Sequence, residues 1–181
     1  DTPTGRVGYL LFNDHIATAE LGLMDAVNQL NAGDGIDDLV LDVRYNGGGY
    51  LYIASQIGYM IAGSARTSGK TFERLQYSDK RTADTNDPAN DTPFYNVASG
   101  IANTGTTENA PLPILNLGRV YVLASPGTCS ASEAVVNGLR GVGVEVILVG
   151  GTTWGKPYGF TAKDNCGISY FPIEFQGVNQ L

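Results

Sequence analysis

Cysteine, histidine and tryptophan are nearly absent from this chain: two, one and one among 181 residues. Cys129, Cys166 and His15 lie far apart in sequence, too few and too scattered for a convincing zinc site. No metal or other cofactor is expected. The two cysteines fit one disulfide in an oxidising compartment and fit two free thiols equally well. Basic residues are also scarce. Eleven Lys and Arg stand against 18 Asp and Glu, a net charge of −7. That argues against a nucleic-acid partner, because such proteins neutralise phosphate with basic patches. No apolar run approaches the roughly 18 residues of a membrane-spanning helix, and no N-terminal signal pattern is visible. The start at Asp1-Thr2-Pro3-Thr4-Gly5 reads as a mature end, and the end at Gln180-Leu181 is compatible with truncation.

What remains is the composition of a folded domain. With 43% hydrophobic residues the chain can bury a core, and its length suits a single domain over residues 1–181. Val7-Gly8-Tyr9-Leu10-Leu11-Phe12 is a short β-rich run. Residues 18–31 place Leu23, Val27 and Leu30 at helical spacing. Leu39-Val40-Leu41-Asp42-Val43 reads as a second strand, followed by a sharp glycine turn, Asn46-Gly47-Gly48-Gly49. A helix is predicted over 50–62, with Ile53, Ile57 and Ile61 stacked on one face. This βαβα order implies parallel strands joined by crossovers, an α/β architecture.

The middle is less regular. Residues 71–77 suit a strand, whereas 78–92 and 100–109 are polar and loop-like. Order returns in a strand over 119–124, a helix over 131–140 and a strand over 144–149. Residues 168–175 suit one or two closing strands interrupted by Pro172.

Ser130 falls where a strand turns into a helix, in Thr128-Cys129-Ser130-Ala131-Ser132-Glu133. A serine there can present its hydroxyl to a cleft, beside the free N–H groups of the first helical turn. Those donors and the helix dipole suit an oxyanion, the charge that acyl transfer develops. Ser130-x-x-Glu133 also matches a capping box; judged alone such a pattern is more often a helix cap, so it does not prove a nucleophile. Ser132 is the weaker hydroxyl, since it falls inside the first turn.

A nucleophilic serine needs a base. His15 is the one histidine, in a loop after the first strand, a place where a histidine is more often structural or solvated. Lys156 lies in Trp154-Gly155-Lys156-Pro157, after the strand over 144–149. If that strand neighbours the one over 119–124, both loops open at the same sheet edge and Ser130 can meet Lys156. A lysine base must be neutral, which requires lowering its pKa by roughly 2–3 units from about 10.4. Burial away from carboxylates can do this, and Trp154, Tyr158 and Phe160 are expected to make the pocket dry. The glycine turn fits neither a dinucleotide fingerprint nor a phosphate loop. It offers instead a backbone N–H that a carbonyl can approach closely.

Three segments in order carry a family resemblance. Leu39-Val40-Leu41-Asp42-Val43-Arg44-Tyr45-Asn46-Gly47-Gly48-Gly49, Ser130-Ala131-Ser132-Glu133 and Val149-Gly150-Gly151-Thr152-Thr153-Trp154-Gly155-Lys156 resemble the three signature elements of the C-terminal processing (tail-specific) serine peptidases. The resemblance implies that Ser130 is the nucleophile, that Lys156 is its base, and that Gly48 and Ala131 supply the oxyanion-hole N–H groups. It further implies an acyl-enzyme formed on a peptide or protein substrate, and a fold related to the Clp protease and crotonase architecture. It points to the bacterial cell envelope (periplasm) or a secreted location. Phe160 stands where the family often carries a glutamine that orients the lysine, and no segment suits the family's common PDZ domain. A non-catalytic module binding a hydrophobic ligand or peptide, and a crotonase-type thioester enzyme, are the competing functions.

Overall fold

Four parallel strands carry every candidate residue on the loops at one edge. The computed structural model describes residues 2–3, 5–101 and 105–179. In chain order its elements are β1 (Val7–Leu11), α1 (Ala19–Leu30), β2 (Asp38–Asp42), α2 (Leu51–Ala62), the single turn α3 (Ser64–Thr67), β3 (Thr71–Tyr77), the single turn α4 (Thr82–Thr85), β4 (Thr92–Pro93), β5 (Arg119–Ala124), α5 (Ala131–Gly141), β6 (Glu145–Gly150), β7 (Tyr158–Phe160), β8 (Lys163–Asn165), β9 (Ile168–Tyr170) and β10 (Ile173–Val178).

The main sheet has the order β1-β2-β5-β6, and each neighbouring pair is parallel. Leu39 and Leu41 of β2 and Val120 and Val122 of β5 are fully buried, as the apolar runs require of central parallel strands. Helix α2 buries Ile53, Ile57 and Ile61, and α5 buries Val135 and Leu139. Both helices face one core. In α1, Leu23 and Val27 are buried, while Leu30 packs at the core's margin. The βαβ reading of the sequence therefore agrees with a mixed α/β fold built on a parallel sheet.

Elements that the sequence left indistinct form a second, antiparallel sheet, ordered β4-β3-β10-β7. Strand β3 matches its expected range. Phe72 is driven into the core, where its ring meets Phe94 edge-on at 5.2 Å; Glu73 then points to the other face, because side chains alternate along a strand. The expected loop over 78–92 contains α4 and the start of β4 instead. Pro172 separates β9 from β10, as its missing N–H demands. Residues 102–104 of the expected 100–109 loop, and the chain ends at Asp1, Gln180 and Leu181, lie outside the described residues. No described helix is long and apolar enough to cross a membrane.

Candidate active site

The loops that leave the C-terminal ends of β1, β2, β5 and β6 contain His15, the Asn46–Gly49 turn, Ser130 and Lys156, respectively. Such an edge is the usual ligand-binding side of a parallel sheet. The pairing of β5 with β6, Ala124 opposite Gly150, brings the Ser130 and Lys156 loops together.

The glycine turn is anchored first. Asp42 takes both the Nε (2.9 Å) and an Nη (2.7 Å) of Arg44, and the Tyr9 hydroxyl donates to it as well (2.6 Å). The Arg44 guanidinium holds the Asp42 carboxyl well below the usual carboxylate range. Asn46, fully buried, is the next fixed point. Its amide donates to the Phe12 carbonyl (3.0 Å), and its Oδ1 accepts from the Gly48 N–H (3.0 Å) and faces His15 Nδ1 (2.9 Å). The Asn46 carbonyl in turn accepts from Cys129 N (3.2 Å) and the Ser132 hydroxyl (3.0 Å). That contact removes Ser132 as a nucleophile, since its hydroxyl is buried and bound. Thr128 donates its hydroxyl to the Val43 carbonyl (2.8 Å), locking the Ser130 loop to the end of β2.

Ser130 stands at the N-terminus of α5 with φ 58° and ψ −118°. Ser130 is the N-cap of α5 and forms a capping box with Glu133, as its sequence pattern allows, but its backbone is not the extended one usual at that position. A non-glycine residue at positive φ is strained, and such strain concentrates at functional turns. A strained strand-to-helix elbow is also the setting in which hydrolases display a nucleophilic serine. Gly48 lies against this elbow. A Cβ added to it would sit 2.8 Å from Ser130 Cβ and 3.0 Å from Ala131 N, and its φ of +99° already requires glycine. The space over the Ala131 N–H is open because position 48 has no side chain. Ala131 N has no described acceptor. The Gly48 N–H, expected to be a second free donor, is held by Asn46 Oδ1; the neighbouring Gly49 N–H has no described acceptor.

Glu133 has a larger part than the capping box implies. One carboxylate oxygen accepts from Ser130 N (2.8 Å) and Lys156 N (2.9 Å), the other from the Thr153 hydroxyl (2.7 Å) and Gly155 N (2.7 Å). A single side chain thus fastens the Lys156 loop to the Ser130 elbow. Partial burial would raise this carboxyl, but the hydrogen bonds from Thr153, Lys156, Ser130 and Gly155 outweigh it and hold it below its ordinary value. Trp154 N adds a bond to the Thr128 carbonyl (2.9 Å).

Ser130 and Lys156 line one cavity of about 530 Å³. Much of its wall is aromatic, from Tyr158, Phe160, Phe171 and Phe175. Lys156 Nζ lies 5.0 Å from the centre of the Phe160 ring, so the residue at the family's glutamine position meets the amine through its π face. The expectation of a dry aromatic pocket needs correction: Tyr158 and Phe160 line the cavity but are themselves exposed, and Trp154 is more so. That ring is 71% exposed and does not line the cavity, because its backbone bond to Thr128 turns the loop outward there. Both cysteines are free thiols, Cys129 half-buried and Cys166 exposed. No cluster of described residues is suited to hold a metal.

His15 also lines the cavity, yet it is wholly buried. Because Asn46 Oδ1 is the acceptor, Nδ1 carries the ring proton and Nε2 is a bare acceptor with no partner among the described residues. Burial lowers His15 to about 4. A depressed folded-state value means that the unfolded chain takes up this proton first as pH falls. The stability tied to the neutral ring is complete above about 6.5 and is lost between about 6.5 and 4. Denaturant titrations should show wild-type stability falling over that window by about 3 kcal/mol more than His15→Gln. Parallel curves for the two proteins would contradict the buried neutral ring.

The sequence profile of peptidase family S41 matches residues 6–163. Among solved structures, a candidate S41 protease from Bacteroides fragilis is 27% identical, superposes with a TM-score of 0.77, and is matched by 99% of this chain over 44% of its own length. The photosystem II D1 C-terminal processing protease (19% identity, TM-score 0.57) is matched by 96% of this chain over 39% of its length. A lipoprotein from Streptococcus agalactiae (12% identity, TM-score 0.58) is matched by 98% of this chain over 56% of its length. The latter two show likeness of fold alone. The chain thus spans about half or less of the length of these solved relatives. No curated protein matches it.

Proposed function

Because the chain belongs to peptidase family S41, we propose that it hydrolyses peptide bonds, with Ser130 as nucleophile and Lys156 as general base. The Ser130 hydroxyl attacks a peptide carbonyl and passes its proton to Lys156 Nζ. The negative charge on the carbonyl oxygen is met by the Ala131 N–H and an N–H of the Gly48–Gly49 turn, aided by the α5 dipole. When the C–N bond breaks, the Lys156 ammonium returns the proton to the departing amine, leaving an ester on Ser130. A water molecule, deprotonated by Lys156, then hydrolyses that ester and restores both groups.

The observation that carries this reading is the strained Ser130 elbow on the same cavity as Lys156, with Glu133 tying the two loops together. The same reading takes residues 1–181 as one catalytic domain of Clp protease/crotonase-like architecture. It assigns the protein to C-terminal processing of peptide or protein substrates in the cell envelope or outside the cell. The ordered signature segments and the fold likeness to a C-terminal processing protease support that assignment.

The test is to quench a reaction with a peptide library in acid and map the modified residue by mass spectrometry. An acyl adduct on Ser130, with cuts concentrated near peptide C-termini, is the expected result. Cuts spread along the peptides would leave a general endopeptidase. Intact peptides with no adduct would leave a binding module on this fold.

A further inference from the structure

The cavity contains a second acidic side chain that the proposed reaction does not use. Glu73, on β3, lines it from the side of the antiparallel sheet. Its carboxylate makes no hydrogen bond or ion pair with any described residue. Burial raises it to about 7, with no neighbouring charge to counter the effect. A carboxylate withdrawn from water without a partner is costly, and this one has a place made for it. A Cβ on Gly177 would fall only 1.9 Å from one carboxylate oxygen and 2.3 Å from the carboxyl carbon, so the missing side chain of β10 forms the niche. Gly177 N donates to the Pro157 carbonyl (2.8 Å), which places the niche beside the residue that follows Lys156.

The route from Ser130 to Glu73 runs along α5 and between aromatic rings. Ala134 and Asn137 line the cavity one and two turns beyond Ser130, and by helical rise Asn137 lies about 10 Å from it. Phe171 and Phe175 stand in the same wall. A passage walled largely by aromatic rings and ending in an unpartnered carboxylate fits a side chain with a long hydrocarbon stem and a positive tip. The aromatic faces favour that tip as well.

We propose that Glu73 selects a lysine or arginine side chain on the residue whose carbonyl is presented to Ser130. The proposal rests on the peptidase reading for the position of that residue. The ligand chemistry, an alkyl chain bearing a cation, follows from the cavity itself. Gly177 is a specificity residue of the same subsite, because it leaves room for the carboxylate.

The experiment compares peptides identical except for lysine or norleucine before the cleavable bond. The wild-type protein should favour lysine in kcat/KM by roughly tenfold or more. Glu73→Gln, which keeps the shape, should abolish that preference by slowing lysine cleavage roughly tenfold more than norleucine cleavage. Gly177→Ala, which displaces a carboxylate that is still present, should weaken the preference in the same direction. Thermal melts identify a variant that fails to fold, and the other variant then decides. A wild-type protein without lysine preference, or variants that slow both peptides equally, would overturn the proposal. Calorimetric binding of the same peptides to Ser130→Ala separates the two readings. Lysine-selective binding without cleavage by the wild type would refute the peptidase and keep the subsite. Cleavage by the wild type with indifferent binding would keep the peptidase and refute the subsite.

Discussion

Ser130→Ala should lower kcat/KM for peptide hydrolysis by a factor of roughly 10⁴ or more while leaving the protein folded. In the proposed reaction this hydroxyl forms the covalent bond, so no neighbouring group can substitute for it once it is gone. Ser132 is held by the Asn46 carbonyl, and Cys129 precedes the elbow. The backbone at position 130 offers a second readout. Its φ of 58° costs any side-chain-bearing residue about 1–2 kcal/mol, and alanine bears that cost as serine does. Ser130→Gly should relieve it and raise stability by about 1 kcal/mol in denaturant titrations while remaining inactive. A position that gains stability as it loses activity is strained for a function. Wild-type turnover in Ser130→Ala would end the proposal.

Lys156 bears the second large expectation. Lys156→Met keeps the stem and removes the amine, and kcat should fall by about 10²–10⁴. Lys156→Arg is the more searching variant. Arginine carries a positive charge and can still stand over Phe160, but it does not deprotonate in proteins. If Lys156 is the base, the arginine variant should be as slow as the methionine variant. If the residue only supplies positive charge to the cavity, arginine should retain most of the rate, and the dyad would be refuted. Single-turnover measurements of acyl-enzyme formation separate this step from product release.

The two elements that the reaction requires differed in how they could be read. The parallel strands were legible because their apolar runs are continuous, and Ile53, Ile57 and Ile61 occupy the buried face that their spacing assigns. Lys156 could be placed near Ser130 on one condition, that its strand pairs with β5, and it does. Glu133 was legible as a cap and not as the clamp on the Lys156 loop, because its partners Thr153, Gly155 and Lys156 lie more than a turn's reach away in sequence. His15 carried no signal of burial. Its environment is created by Asn46, 31 residues on. Trp154 misled, because an aromatic beside a glycine has no intrinsic direction, and one backbone bond to Thr128 turned it to solvent.

By itself the sequence determined the elements whose signals are local: strands from apolar runs, helices from periodicity, a glycine turn, a serine at a strand–helix junction and the ordered segments that mark the family. Tertiary structure alone decided which side chains share a cavity, that Asn46 and Glu133 tie the loops together, and that Glu73 from a separate sheet stands in the same space as Ser130. The division follows from the physics. Helical and extended preferences act between residues a few positions apart, whereas burial, buried-carboxylate charge and a niche such as that at Gly177 exist only after distant strands have packed.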